Sequence, residues 1–488
     1  MPQQQNVCEG LEPKAVLHYF EEICSIPHGS YHTEKISNYI AGFAEGRGLR
    51  YVHDKSGNVI IWKKGTGNSA LKDSVILQGH MDMVLDKTGD CPIDLEKDPI
   101  SLQRKDDLLY ADRTTLGGDD GIAVAMMLAI LDDDSIEHPP LECIFTVDEE
   151  VGMLGAASLD VSSLKSKRMI NLDSEQEGVF IVGCAGGSEV LVSLPAEKKE
   201  RQGLVLAISV SGLTGGHSGV CIGEGRANAN IILGRMLYHV AKTVPFRLIS
   251  IEGGSKDNAI PNEAKATVFL DPGFSKAELL HAFQKKEQSI LSEYRKTDPQ
   301  MSWSLAWGED NTSASCLSRK DTRRVLQFLY LAPNGLMESC GENHSTVQTS
   351  LNLGVVKTEG YYITADYLIR SSVNSQKEEL TNKITSLADV LHGTALLKGD
   401  YPAWEKSDSS ALCEKMTCVY KTMNGKEPLV QVIHGGVECG ILASKIPGLD
   451  CVSIGPDMMG IHTPNETLSI SSVERVYAFL CEVLKEME

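Results

Sequence analysis

Residues 75–82 read Val75-Ile76-Leu77-Gln78-Gly79-His80-Met81-Asp82, a short apolar run that stops at an imidazole and a carboxylate two residues apart. A run of this length and composition is the pattern of a buried strand. The pattern returns downstream. Residues 141–147 are rich in β-formers and stop at Asp148-Glu149-Glu150, and Met169-Ile170-Asn171-Leu172 stops at Asp173. Cys451-Val452-Ser453-Ile454 leads on to Gly460-Ile461-His462. Residues 122–131 are apolar on every face and too long for a typical strand. They predict a buried helix, entered through Gly117-Gly118-Asp119-Asp120-Gly121. Strands alternating with helices predict an α/β domain with a mostly parallel sheet.

The middle of the chain has another rhythm. Residues 189–194 and 204–210 read as strands joined by a charged turn at 197–201, with a helix at 227–240. Strands at 247–251 and 264–270 and a helix at 276–294 complete a ferredoxin-like ββαββα order. A second set follows: a strand at 302–307, a helix at 321–330, strands across 346–369 and a helix at 377–391, so a doubled module is one reading. The expected organisation is a first domain made of residues 1–185 and 399–488, interrupted by an α+β insertion at 186–398. In the last helix Ser471 and Glu474 form a capping-box pattern, and Val473, Val476, Leu480, Val483 and Leu484 make one apolar stripe.

Composition narrows the partners. A chain of 488 residues is long for one core, so two or three domains are expected. The net charge of -20 argues against nucleic acid and against an anionic membrane surface. Thirteen scattered cysteines with no CxxC pair read as reduced thiols rather than a disulfide framework. Residues 1–10 show no basic region followed by an apolar stretch, and the longest apolar run falls short of the ~20 residues that span a bilayer. A cytoplasmic protein is the expectation.

The ionisable residues at the strand ends carry the chemistry. In open α/β sheets, ligands bind outside the carboxyl ends of the strands. His80, Asp119, Glu150, Asp173 and His462 can therefore converge from distant parts of the chain. Imidazoles with carboxylates and no nearby thiolate suit zinc, manganese or cobalt. The set is too large for one ion, and two ions ~3.5–4 Å apart need a shared carboxylate. Asp119, on a glycine-rich turn at a helix start, is the best bridge; His80 and Asp173 complete one ion, Glu150 and His462 the other. Two divalent ions against three carboxylates leave a formal charge of about +1, which suits a bridging hydroxide. Glu149 points to the other side from Glu150 and can shuttle the proton. Asp82 can hold the second ring nitrogen of His80.

These strings resemble the co-catalytic zinc peptidases that include aminoacylase, carnosinase and peptidase T, and within them the aminoacyl-histidine dipeptidases. The matching segments are GHMDMV, LGGDDGIAVAMML, FTVDEEVGMLGA, NLDSEQEG and GIHTPNE, with SIPHGSYHTEKISNYI, GLTGGHSG, DNAIPNEA, TSLNLGVV and HGGVECGIL. The likeness runs through nearly the whole chain. It implies a zinc-exopeptidase-like catalytic domain split by a lid domain that often mediates dimerisation. It implies the same five metal ligands, Glu149 as general base and Asp82 as the residue that orients His80. It also implies that His217 stabilises the oxyanion, in some relatives across a dimer interface, and that Asn258 and Arg370 hold the substrate carboxylate. His434 and Glu438 receive no role. Relatives often carry Ala where this chain has Gly118, and some carry Asn at Asp120; neither change removes a ligand.

The expected function is hydrolysis of unblocked dipeptides, Xaa-His and more broadly Xaa-Xaa, by a homodimer holding two divalent ions. A tripeptidase or an N-acyl amino acid amidohydrolase would use the same site, and a catalytically silent metal-binding scaffold is the non-enzymatic rival.

Overall fold

A computed structural model describes residues 7–341 and 346–487. They form two compact units. Unit 1 contains residues 7–184, 406–433 and 437–487, and unit 2 contains 185–405 and 434–436, apart from the undescribed stretch.

Unit 1 is built on an eight-stranded sheet. Its order is Arg50–His53, Val59–Lys63, Leu141–Thr146, Val75–His80, Arg168–Asn171, Asp450–Ser453, Val179–Cys184 and Leu429–Ile433. The central strands run parallel: Val75–His80 pairs with Leu141–Thr146 on one side and Arg168–Asn171 on the other, and Asp450–Ser453 continues in the same sense. Every residue of Val75–His80 and Leu141–Thr146 is buried, which explains why these strands read as continuous apolar runs rather than alternating ones. The Gly118–Asp132 helix is buried from Gly118 to Leu131, as its all-round apolar sequence requires. It packs between the sheet and the Lys14–Cys24 helix. Truncating a side chain such as Leu128, which has no exposed surface, would cost about 2–5 kcal/mol.

The Ile470–Glu486 helix buries Val473, Val476, Leu480, Val483 and Leu484 as expected. Its cap differs. Ser469, not Ser471, is the N-cap, and its Oγ accepts from the Ser472 amide. Asp107 draws the Ser471 hydroxyl and amide away, so the capping box does not form.

Unit 2 carries a ten-stranded sheet in which all the neighbouring strands are antiparallel. Both ββα sets contribute to this one sheet, with Thr346–Glu359 and Tyr362–Ser371 at its centre. The expected charged turn at 197–201 lies mostly inside the Lys198–Ser211 strand. That end of the strand pairs with Thr312–Leu317 and is largely exposed, so charged residues fit it without breaking the ladder. Among the described residues no helix is long and apolar enough to cross a membrane.

Candidate metal centre

Strand register brings the candidate ligands of unit 1 together. His80 pairs with Thr146 and Gln78 with Asn171, so three parallel strands end at one edge of the sheet. Asp82, Glu149, Glu150 and Asp173 follow directly beyond those ends. Asp119 arrives on the first residues of the Gly118–Asp132 helix. His462 sits in the turn between the paired Met458–Met459 and Thr467–Ser469 strands. Asp148 and His462 have φ of 54° and 61°, a left-handed backbone that costs a non-glycine residue of order 1 kcal/mol and that often marks functional turns.

Asp119 divides its two oxygens. Its Oδ1 lies 3.2 Å from His80 Nε2, and its Oδ2 lies 3.2 Å from His462 Nε2. His80 Nε2 is also 3.7 Å from Asp173 Oδ1, and His462 Nε2 is 2.8 Å from Glu150 Oε1. Two ligand groups result, His80–Asp119–Asp173 and Asp119–Glu150–His462, each with donor atoms within 4.8 Å of one another. His80, Glu149 and Glu150 satisfy the same criterion, so Glu149 stands at the edge of the cluster rather than apart from it. The donor set fits divalent ions. Glu150 Oε1 is buried, 2.8 Å from His462 Nε2, with no other acceptor role among the described residues.

The electrostatics of the bare cluster are those of a cation site. Burial opposes charge on His80, but Asp119, Asp173 and Asp82 hold its imidazole well above the ordinary histidine range. Burial likewise opposes charge on His462, yet Asp119 and Glu150 hold it up at about 11. Burial and then its acidic neighbours lift Asp173 to about 6 and push Glu149 well above the usual carboxylate range. Asp119 goes the other way, drawn down by both imidazoles against its own burial.

Supporting residues fix these groups. The Asp82 carboxylate accepts the amides of Glu149 (2.9 Å) and Glu150 (3.3 Å) and the Ser30 hydroxyl (2.8 Å). Its carboxylate is 3.4 Å from His80 Nδ1, while its main-chain carbonyl is nearer at 2.9 Å. Asp82 thus ties the His80 strand end to the Glu149–Glu150 turn. Asp120 is buried and accepts the His80 amide at 3.1 Å, so it supports the strand end.

One layer below, Glu438 takes Gln78 Nε2 and Thr146 Oγ1, both at 2.5 Å, and Gln78 Oε1 accepts from Asn171 at 2.6 Å. Burial pushes the Glu438 carboxyl up to about 7. Gln78 and Asn171 stand two residues before His80 and Asp173, on the same strand faces. Polar residues at these positions of otherwise apolar strands are the signal that could have located this layer from sequence. Ser30 offers no such signal.

Unit 2 gathers the other candidates. Gly216–His217 pairs with Ala259–Ile260, and the Ser218 amide donates to the Asn258 carbonyl at 2.8 Å, so His217 and Asn258 are neighbours. Arg370 is buried; its Nη1 is 3.3 Å from the Tyr401 hydroxyl, and its Nε has no acceptor among the described residues. Ser350, its strand partner, contacts His434 Nε2 at 2.8 Å. Burial and the Arg370 charge lower His434 to about 4, so it is neutral at pH 7.

Comparison with known proteins places this geometry in a family. The family described as Peptidase family M20/M25/M40 matches residues 76–486. The chain belongs to this peptidase family. The M20 chain is 36% identical to the cytosol non-specific dipeptidase of Escherichia coli (strain K12) over 98% of both proteins. It is 34% identical to aminoacylhistidine dipeptidase from Vibrio alginolyticus, with a TM-score of 0.88 and 98% of each chain covered. Aminopeptidase PepT from Bacillus cereus shares the fold, with a TM-score of 0.55 at 16% identity over 98% of this chain and 99% of that one. The M20 chain thus couples a peptidase family to a carboxylate–imidazole cluster able to hold metal.

Proposed function

We propose that the chain is a metal-dependent dipeptidase that hydrolyses unblocked dipeptides, Xaa-His and more broadly Xaa-Xaa. The observation that carries this reading is Asp119, whose oxygens serve two ligand groups at 3.2 Å each, in a chain 36% identical to a dipeptidase over 98% of its length. In this reading Asp119 would help to hold each of two divalent ions, zinc by preference with manganese or cobalt as substitutes. His80 and Asp173 complete one and Glu150 and His462 the other. Bound there, the ions supply Lewis acidity and lower the pKa of a water.

The protein's own groups do the rest. Glu149 takes a proton from the attacking water and passes it to the leaving amine. Asp82 fixes the His80 ring and, through two amides, the Glu149–Glu150 turn. His217 donates to the developing oxyanion. Arg370 and Asn258 hold the substrate carboxylate, a role supported by the buried guanidinium with an unused Nε. Unit 1 is the catalytic domain and unit 2 the lid. The enzyme works as a homodimer in the cytoplasm.

Metal analysis coupled to a substrate panel tests the proposal. Free dipeptides, β-alanyl-histidine included, should be cleaved, and their N-acetylated or one-residue-longer counterparts should not. Preference for the acetylated substrates would make the enzyme an amidohydrolase, and preference for the longer ones a tripeptidase. A chain that holds metal and cleaves none of the panel would be a scaffold.

A further inference from the structure

The Gly118–Asp132 helix begins without a side chain of its own to cap it. Gly117 has a left-handed backbone and Asp119 and Asp120 have non-helical angles, so the amides of Leu116 to Asp119 belong to a turn ahead of the regular helix and need acceptors from elsewhere. The acceptor comes from far along the chain. The amides of Leu116, Gly117, Gly118 and Asp119 all donate to the Glu466 carboxylate, at 2.7, 3.1, 2.8 and 3.3 Å. Glu466 is 3% exposed. A buried carboxylate that accepts four backbone amides is held firmly in place. A Cβ at Gly118 would approach Glu466 Oε1 to 3.2 Å, so glycine suits the closeness of the two segments.

Glu466 stands four residues after His462, in the segment that returns to the Thr467–Ser469 strand. Its hydrogen bonds join the backbone of the Asp119 turn to the loop that carries His462. The loop is closed by the pairing of Met458–Met459 with Thr467–Ser469 and by Thr463, but these bonds are local to the hairpin, and His462 itself is exposed with a left-handed backbone. His80 and Asp173 are differently placed. They sit at the ends of buried parallel strands, with Asp82 and Asp120 bonded to the His80 segment and Asn171 Oδ1 taking the Asp173 amide at 3.4 Å. Three of the four amides that donate to Glu466 precede Asp119 in sequence and the fourth is that of Asp119 itself, so the carboxylate holds the backbone from which the Asp119 side chain leaves the turn.

We propose that Glu466 is a positioning residue that assembles the Asp119–Glu150–His462 half of the metal centre before any ion arrives. The inference rests on the two-ion reading above and adds an asymmetry to it. Losing Glu466 frees the Asp119 turn, which both halves share, and the His462 loop, which only one half contains, so the half with His80 and Asp173 on strand ends should suffer less.

Glu466→Gln tests this, because the amide keeps the shape while replacing one acceptor oxygen with a donor. Zinc and cobalt(II) binding are measured on metal-free parent and variant. The expected result is the Asp119–Glu150–His462 site weaker by about 10- to 100-fold and the His80–Asp119–Asp173 site, which shares Asp119 but keeps its strand supports, weakened much less. Excess metal should restore most of the turnover number, which a generally loosened fold would not allow. Parent-like affinity at both sites, or equal weakening of both, overturns the proposal while leaving the two-ion reading intact. A parent that binds fewer than two ions removes that reading and this inference with it. If the variant does not fold, amide exchange in the metal-free parent decides: protected amides at Gly117, Gly118 and Asp119 support preassembly, and amides protected only after metal is added overturn it.

Discussion

His462 Nε2 lies 2.8 Å from Glu150 Oε1, and the carboxylates of Glu150 and Asp119 hold its imidazole at about 11 in the metal-free protein. His80 is held high in the same way. Metal ions bind neutral imidazole, so each of these protons must leave when an ion enters. If two ions bind through His80 and His462 as proposed, loading them at pH 7 should release about two protons, and apparent affinity should rise with pH by about tenfold per unit for each proton displaced. Calorimetric titration in two buffers of different ionisation enthalpy counts the protons; a count near zero refutes the arrangement. Linkage has its own sign here. The raised folded-state value means that the ion contact stabilises the metal-free protein fully below pH 6.5, and that this contribution disappears as pH rises through about 11.

Glu149 can be separated from the ligands by substitution. Burial and the nearby carboxylates of Asp173, Glu150 and Glu438 push its carboxyl well above the ordinary range, which suits a group that must both accept and return a proton. Glu149→Gln should lower kcat by about 10²- to 10⁴-fold with both ions retained. Metal content and turnover measured on the same sample check it. A variant that loses an ion would make Glu149 a ligand, and one that keeps turnover within tenfold would clear it of proton transfer.

Arg370 gives a test of substrate reading within unit 2. It is buried with a free Nε beside a neutral His434, an unusual position for a guanidinium unless an anion arrives. Arg370→Ala should lower kcat/KM for a free dipeptide by the worth of a charged hydrogen bond, about 1.5–3 kcal/mol, mostly through KM. The matching dipeptide amide, which lacks the carboxylate, should lose only a few-fold. Equal losses on the two substrates would assign Arg370 to the architecture of the lid sheet.

The parts of this site that were legible in the sequence are those that obey short-range rules. Buried parallel strands leave apolar runs, and an ionisable residue directly after such a run stands at a sheet edge, so His80, Glu150 and Asp173 announced themselves. The supports obey no short-range rule. Glu466 lies nearly 350 positions from the amides that it caps, and Ser30 lies 52 positions from Asp82. The Ile470–Glu486 cap shows the same limit at small scale: the distant Asp107 accepts the hydroxyls of both Ser469 and Ser471 and the Ser471 amide, contacts that the local sequence does not announce. In unit 2, element order alone could not decide between two modules and one, because strand pairing across the Thr346–Glu359 strand joins both sets into a single sheet.

Gly455 sets the closest tolerance near the metal centre. It follows the Asp450–Ser453 strand, and a Cβ there would lie 1.6 Å from the Ser174 carbonyl oxygen and 2.5 Å from its carbon. The two segments are already joined, with the Ser174 amide donating to Ile454 at 3.3 Å and the Ser174 and Ser453 hydroxyls 2.8 Å apart. Backbone atoms cannot rotate away as a side chain would. Gly455→Ala must therefore push apart the segment that carries Asp173, at a cost of about 1–3 kcal/mol or more. The damage should exceed the stability loss: a displacement of about 1 Å at Asp173 is enough to cost about 10²-fold in rate, even where the variant is fully folded. Urea midpoints, with kcat and metal affinity measured at a temperature where both proteins are native, separate the two effects. A variant with the parent's midpoint and turnover would mean that the two segments are not packed this closely in solution.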